Sequence, residues 1–206
     1  MGKEDWYRNT NWNDAIADEY FAKLKRTRSK DQYLRIQACY LTKSHPIVAL
    51  ELLDQFFILN EPSDFAQAYC EKAEAYLSLG NINEAIIAYE RAIKHESTTN
   101  GVQTEAFIKL PMLFAEYNLH EYFLQGIKLL ENNTKRLYFP VDHFRWHAAM
   151  AIFKKGLGNT EESSKQALLA LEAAKIKKSE FRYHRNLGLV GEKYLNIVIK
   201  LEEIVA

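Results

Sequence analysis

Apolar positions recur every three or four residues in run after run, and short polar turns separate the runs. That period belongs to the α-helix. Ile16, Tyr20, Phe21 and Leu24 share one face of a first helix, opened by Asn13 or Asp14 and running to about Arg28. Helices follow over residues 30–43 and 46–59. Ser44-His45-Pro46 turns the chain between them, with Pro46 in the first turn, where its missing N–H costs nothing. Residues 66–79 and 82–93 flank the breaker Gly80-Asn81, and Asn100-Gly101 marks another turn. Residues 103–117 and 121–131 form the next two helices, and Pro111 is expected to kink or break the first. Asp142 caps a helix through Lys155, Gly156-Leu157-Gly158-Asn159 supplies a turn, and residues 160–175 follow with Glu161 and Glu162 in the first turn. A last helix covers residues 187–204, with Gly188 and Gly191 weakening its start. Connections this short make consecutive helices antiparallel neighbours.

Residues 65–98 form the best-defined pair. Small residues stand at Ala73, Gly80, Ala85 and Ala92, and large ones at Tyr69, Tyr76 and Tyr89. Two helices approach closely only where side chains are short, and the tyrosines fill the gaps between layers. The stretch resembles a tetratricopeptide repeat, a helix pair of about 34 residues that stacks on copies of itself. In the preceding pair Tyr33, Tyr40, Ala49 and Leu53 occupy equivalent places at an offset of 36 residues, while Gln37 and Phe56 replace small residues. Residues 30–63, 103–132 and 142–176 read as diverged repeats, with Glu61-Pro62-Ser63-Asp64 as a linker and cap. The resemblance implies an all-α, right-handed α-solenoid of antiparallel helix pairs. It would be one domain over residues 1–206, with an extra N-terminal helix and a capping helix over residues 187–204. Longer-range likeness is to small bacterial tetratricopeptide-like proteins of unassigned activity. It rests on Arg8-Asn9-Thr10-Asn11-Trp12-Asn13, Gln32-Tyr33-Leu34-Arg35-Ile36-Gln37-Ala38, Phe139-Pro140-Val141-Asp142 and Phe181-Arg182-Tyr183-His184.

Composition narrows the picture. Hydrophobic residues make up 48% of the 206 and aromatics 13%, which excludes a disordered chain. Basic and acidic residues balance at 27 each, which argues against a globally basic nucleic-acid binder. Cys39 and Cys70, each inside a helix, are expected to be buried thiols in a reducing compartment. No apolar run opens the chain and none nears the ~20 residues that span a bilayer, so neither a secretion signal nor a membrane segment is expected. Gly2 makes a poor myristoylation site, because Trp6 stands where Ser or Thr belongs. A cytoplasmic protein is the expectation. Trp6, Tyr7 and Trp12 mark the N-terminal arm as one that packs on the first helix or caps the stack.

Motifs for catalysis do not emerge. The chain has no GxxxxGK[ST], GxGxxG or GxSxG, so no cofactor is expected. His143 and His147 lie four apart on one helix, a spacing that suits a metal, but Phe144 stands in place of a peptidase glutamate and no third ligand is evident. The plainer reading is two histidines without metal. The expectation is a protein that is not an enzyme.

Two surfaces remain. In tetratricopeptide proteins the first helix of each pair lines a concave groove that holds a partner peptide or helix. Carried over, the resemblance implies a groove with Asp31, Leu34, Arg35, Gln67, Glu71, Glu74, Ser78, Asn118, His147 and Lys154. It lacks the ordered lysines and asparagines with which chaperone-binding members grip a carboxylate. The second surface is a candidate anion site of Arg145, His147, Arg182, Tyr183, His184 and Arg185, should the loop over residues 177–186 fold back. The competing reading has Phe181 and Tyr183 anchoring the loop while the arginines bond carbonyls or acids. Two functions follow: a scaffold for a protein partner, or a regulatory module responsive to an anionic ligand or nucleic acid. An exposed apolar end of the stack would permit a homodimer.

Overall fold

In the computed structural model, residues 5–59, 64–98 and 102–206 are described. Gly2, the Glu61-Pro62-Ser63 linker and the Asn100-Gly101 turn lie outside them. Among the described residues there are ten α-helices and no strand. The chain divides into two compact units, Met1–Ala106 and Phe107–Ala206.

The first unit holds α1 (Asp14–Leu24), α2 (Lys30–Leu41), α3 (Pro46–Ile58), α4 (Phe65–Ser78) and α5 (Ile82–Thr98). Asn13 caps α1, its side chain accepting the Ile16 N–H at 3.0 Å. This helix stops at Leu24 rather than near Arg28, and α5 runs past Ile93 to Thr98. From α2 onward each helix packs on the next, α2 on α3, α3 on α4 and α4 on α5. Ala73, Ala85 and Ala92 are fully buried at the α4–α5 seam. Tyr89 and Phe56 are buried to the last few per cent, and each such side chain stabilises by about 1.5–3 kcal/mol.

The N-terminal arm is part of this core. Trp6 packs on Tyr20 and Tyr33, and Trp12 on Tyr20 and Phe21. Gln37 explains itself here. Its carbonyl accepts the backbone and side-chain N–H groups of Asn9, and its amide donates to the Asn9 carbonyl at 2.7 Å. The polar residue at a small-residue position thus binds the arm instead of a preceding helix. Cys70 is buried and donates to Thr104, which ties the chain after α5 back to α4. Cys39 is exposed, contrary to expectation, because it faces away from the buried Ala38 and Leu41.

The second unit holds α6 (Ala106–Glu116), α7 (Phe123–Asn132), α8 (Pro140–Gly156), α9 (Thr160–Ala174) and α10 (Leu195–Val205). The α6 helix runs through Pro111. Next, α7 packs on α8, α8 on α9, α9 on α10, and α10 back on α8. Gly126 on α7 sits under Phe153 of α8, where a Cβ would lie 2.7 Å from the ring. Ser163 of α9 donates to the Ala151 carbonyl of α8 at 2.8 Å. The cap of α9 is Asn159, which accepts the Glu162 N–H, so Thr160 is the first helical residue. Helix α8 begins at Pro140, two residues before the expected cap. The last helix starts at Leu195 rather than Leu187. Gly188 is left-handed and its carbonyl accepts the Val141 N–H, so this stretch braces the start of α8 and cannot be helical.

Three turns share one chemistry. After α4 the Gly80 and Asn81 N–H groups bond back to Leu77 and Tyr76, with Gly80 at φ +74°. After α8, Gly158 and Asn159 bond to Lys155 and Lys154, with Gly158 at φ +80°. After α6, Asn118 at φ +53° and Leu119 bond to Ala115 and Phe114. Each is a Schellman motif that satisfies the last helical carbonyls and reverses the chain.

Candidate functional site

In the first unit, α2 and α4 lie side by side as the first helices of consecutive pairs. One contact fixes their register. Arg35 Nη1 donates to Glu71 Oε1 at 2.7 Å, and the two residues are 36 apart, the repeat offset itself. Equivalent positions of adjacent pairs therefore meet. Arg35 Nε also donates to Asp64 at 3.2 Å, and Gln67 Nε2 to Glu71 Oε1 at 3.3 Å. Glu71 Oε2 is buried and has no hydrogen bond. Burial pushes the Glu71 carboxyl up to about 7, against the pull of Arg35 and the Gln67 hydrogen bond.

Three of the expected groove positions are engaged within the protein. Leu34 is buried in the core, and Arg35 and Glu71 are locked to each other. Asp31, Gln67 and Glu74 are half-buried and Ser78 is exposed, its hydroxyl bonding the Glu74 carbonyl. The structure leaves a polar strip along α4, with the Arg35–Glu71 pair beneath it.

In the second unit the remaining groove positions have separate jobs. Asn118 is the left-handed residue of its turn, and its amide meets His120 at 2.9 Å. Lys154 is half-buried near the end of α8. His147 Nδ1 lies 2.6 Å from Gln166 Oε1, and Gln166 Nε2 donates to Glu162 at 2.6 Å. Burial lowers the His147 pKa, opposed by the Gln166 bond and reinforced by His143. The His143 and His147 rings are parallel to within 22° with centroids 6.4 Å apart. Among the described residues no three His, Cys, Asp or Glu side chains gather to hold a metal ion.

The candidate anion site does not assemble around Arg145. That guanidinium is buried, donating to Asp142 Oδ1 at 2.6 Å and to the Val141 carbonyl. Asp142 in turn accepts the Tyr138 and Phe139 N–H groups ahead of α8. The pair ties down the helix start. Arg182, Tyr183, His184 and Arg185 lie exposed in a turn closed by the Ser179 N–H on the Arg185 carbonyl. Tyr183 is 82% exposed and anchors nothing; its ring carries the Arg182 guanidinium at 5.5 Å. Phe181 is the anchor, with its ring 5.6 Å from Phe139.

Sequence reasoning missed the cleft this anchor creates. It measures about 530 Å³ and lies between the start of α8, the end of α9 and the segment after α9. Phe139, Leu169, Ile176 and Phe181 give its wall apolar surface, and His143 and His147 are among its polar lining. The aromatic pair was visible in the sequence; that the two meet was not, because they lie 42 residues apart across two helices.

The α4–α5 pair has the short turn, the buried alanines and the in-register neighbour of a stacking repeat. Residues 66–98 match the tetratricopeptide repeat family model. The match spans most of α4 and all of α5. No curated protein and no solved structure matches the chain. The tetratricopeptide repeat is a protein–protein interaction module, so its presence points to protein partners. Among the described residues no helix is long and apolar enough to cross a membrane.

Proposed function

We propose that the chain is a non-enzymatic scaffold that holds a peptide or helix of another protein along the α2–α4 face. The observation that carries this reading is the Arg35–Glu71 contact under a tetratricopeptide repeat, since it sets two first helices in register as one continuous surface. Asp31, Gln67, Glu74 and Ser78 are the side chains offered there. The surface carries both acidic and neutral polar groups, which favours a partner segment with basic and amide side chains. A cytoplasmic setting goes with this reading.

The test is a paired substitution, Gln67→Lys with Glu74→Lys. It should weaken partner binding by tenfold or more, about 1.4 kcal/mol, while leaving the melting temperature within a few degrees. Unchanged binding would reject this face. The anion-responsive alternative rests on Arg182, His184 and Arg185 alone, since Arg145 is held by Asp142. It requires binding of phosphorylated ligands that fades with salt.

A further inference from the structure

The cleft of the second unit has a wall chemistry that specifies an occupant. Phe139, Phe181, Leu169 and Ile176 supply its apolar lining, and the Phe139 and Phe181 rings pack on each other with centroids 5.6 Å apart. The polar group that decides the occupant is His147, and its proton is placed by a relay of hydrogen bonds. The relay begins at Glu162, a carboxylate that is ionised at neutral pH and therefore a pure acceptor. Gln166 Nε2 must therefore be the group that faces it, at 2.6 Å. That orientation turns Gln166 Oε1, a pure acceptor, toward His147 Nδ1 at 2.6 Å. Nδ1 must then carry the ring proton. Burial keeps the imidazole neutral, so Nε2 is a bare acceptor, with no hydrogen bond among the described residues.

We propose that this cleft anchors one aromatic side chain of a protein partner, a tryptophan or tyrosine whose N–H or O–H donates to His147 Nε2. A flat apolar body can lie on the joined faces of Phe139 and Phe181, and the neutral acceptor of His147 selects for a ring that carries a donor. Phenylalanine would leave Nε2 dry and unpaired. An anionic group is disfavoured, because a neutral acceptor repels carboxylate or phosphate oxygen and Arg145 is bound to Asp142. Around the mouth His143, Glu172, Lys178 and Glu180 leave no strong net charge to draw an ion. At about 530 Å³ the cleft exceeds one indole, and exposed Tyr138 and Ile176 extend its apolar wall outward. That extra surface fits residues flanking the anchor, and so a chain segment rather than a free small molecule. The inference takes its protein occupant from the scaffold reading, but concerns a different surface from the α2–α4 face.

The experiment titrates the full chain with a capped Gly-Ser-Trp-Ser-Gly peptide, followed by NMR and calorimetry. Parallel titrations use the same peptide with 1-methyltryptophan, with phenylalanine, and free indole. The tryptophan peptide should bind about tenfold more tightly than the methylated and phenylalanine forms, and more tightly than indole. Long-range nitrogen–proton NMR on histidine-labelled protein should show His147 protonated at Nδ1 and should report a shift at Nε2 on peptide addition. His147→Phe should abolish the preference for the donor. Phe181→Ala, which removes the segment's anchor and part of the cleft wall, should weaken every peptide alike. Equal affinity of tryptophan and methyltryptophan peptides, an Nε2-protonated ring, or no binding up to about 10 mM would overturn the proposal. So would indole binding as tightly as the peptide, which would make this a small-molecule site. Dilution shifts at Phe181 without any peptide would assign the cleft to a second copy of the chain, and overturn it too. None of these failures touches Gln67 or Glu74, so they leave the scaffold reading to its own test.

Discussion

Two glycines in this chain resist substitution for different reasons, and the distinction is measurable. Gly80 has open space where a Cβ would stand, yet its φ of +74° lies in the left-handed region. Gly80→Ala should cost about 1–2 kcal/mol through backbone strain alone. At Gly126 the strain is packing, because a Cβ would meet Phe153 at 2.7 Å. Gly126→Ala should cost about 1–3 kcal/mol, and a compensating Phe153→Leu should recover part of it. Urea denaturation of the three variants checks both statements. Glu71 adds a pH signature. Its carboxyl pKa rises from 4.5 to about 7 on folding, chiefly through burial. The folded state therefore binds the proton more tightly than the unfolded one. That contribution is full below pH 4.5 and is lost as pH climbs through 7. Glu71→Gln should flatten the fall in stability over this window, by an amount on the order of 1–3 kcal/mol. A wild-type slope that survives the substitution would assign the proton elsewhere. Glu71→Lys, by contrast, would set a second cation against Arg35 in a buried site and is expected to unfold the region.

At the scale of elements, the helices were legible because their punctuation is chemical. Gly80-Asn81 and Gly158-Asn159 announce the turns that the structure builds, and Pro46 opens α3 as its ring requires. Asn118 plays the glycine's part after α6, and sequence reasoning took it for a groove residue because asparagine suits both a surface and a left-handed turn. The start of the last helix was misread for a related reason. Leu187, Leu189 and Val190 keep an apolar rhythm, but Gly188 serves the neighbouring α8 through its carbonyl. Periodicity records burial and does not say which element is being covered. The same limit hid the role of Gln37, whose polar side chain looked like divergence and is the clasp for Asn9. Gln37→Leu should strand the Asn9 polar groups and cost about 2–3 kcal/mol, with the loss of Trp6 and Trp12 fluorescence shielding as its sign. Unchanged tryptophan emission would show that the arm is held by its aromatic contacts alone.

For the molecule as a whole, the fold class was readable and the long-range pairing of charged side chains was not. A helix pair with alanines at its seam announces stacking, and its match to the tetratricopeptide repeat points to protein partners. Which side chains face a partner depends on long-range pairing. Arg35 and Glu71 looked like two surface charges on separate helices, and each is the reason the other is unavailable. Arg145 had two readings, anion ligand or partner of a nearby acid, and Asp142, three residues earlier on the same helix, holds it as in the second. The Arg35–Glu71 pair is invisible in the sequence until two helices meet, whereas the Arg145–Asp142 pair lies within one. The central question is whether the strip above Arg35–Glu71 engages another protein. Quantitative capture from lysate of the native host, comparing wild type with Gln67→Lys/Glu74→Lys and with Asn83→Lys on the exposed face of α5, addresses this directly. The account predicts a protein retained by wild type and by Asn83→Lys and lost from the double variant. Identical retention by all three proteins would contradict it.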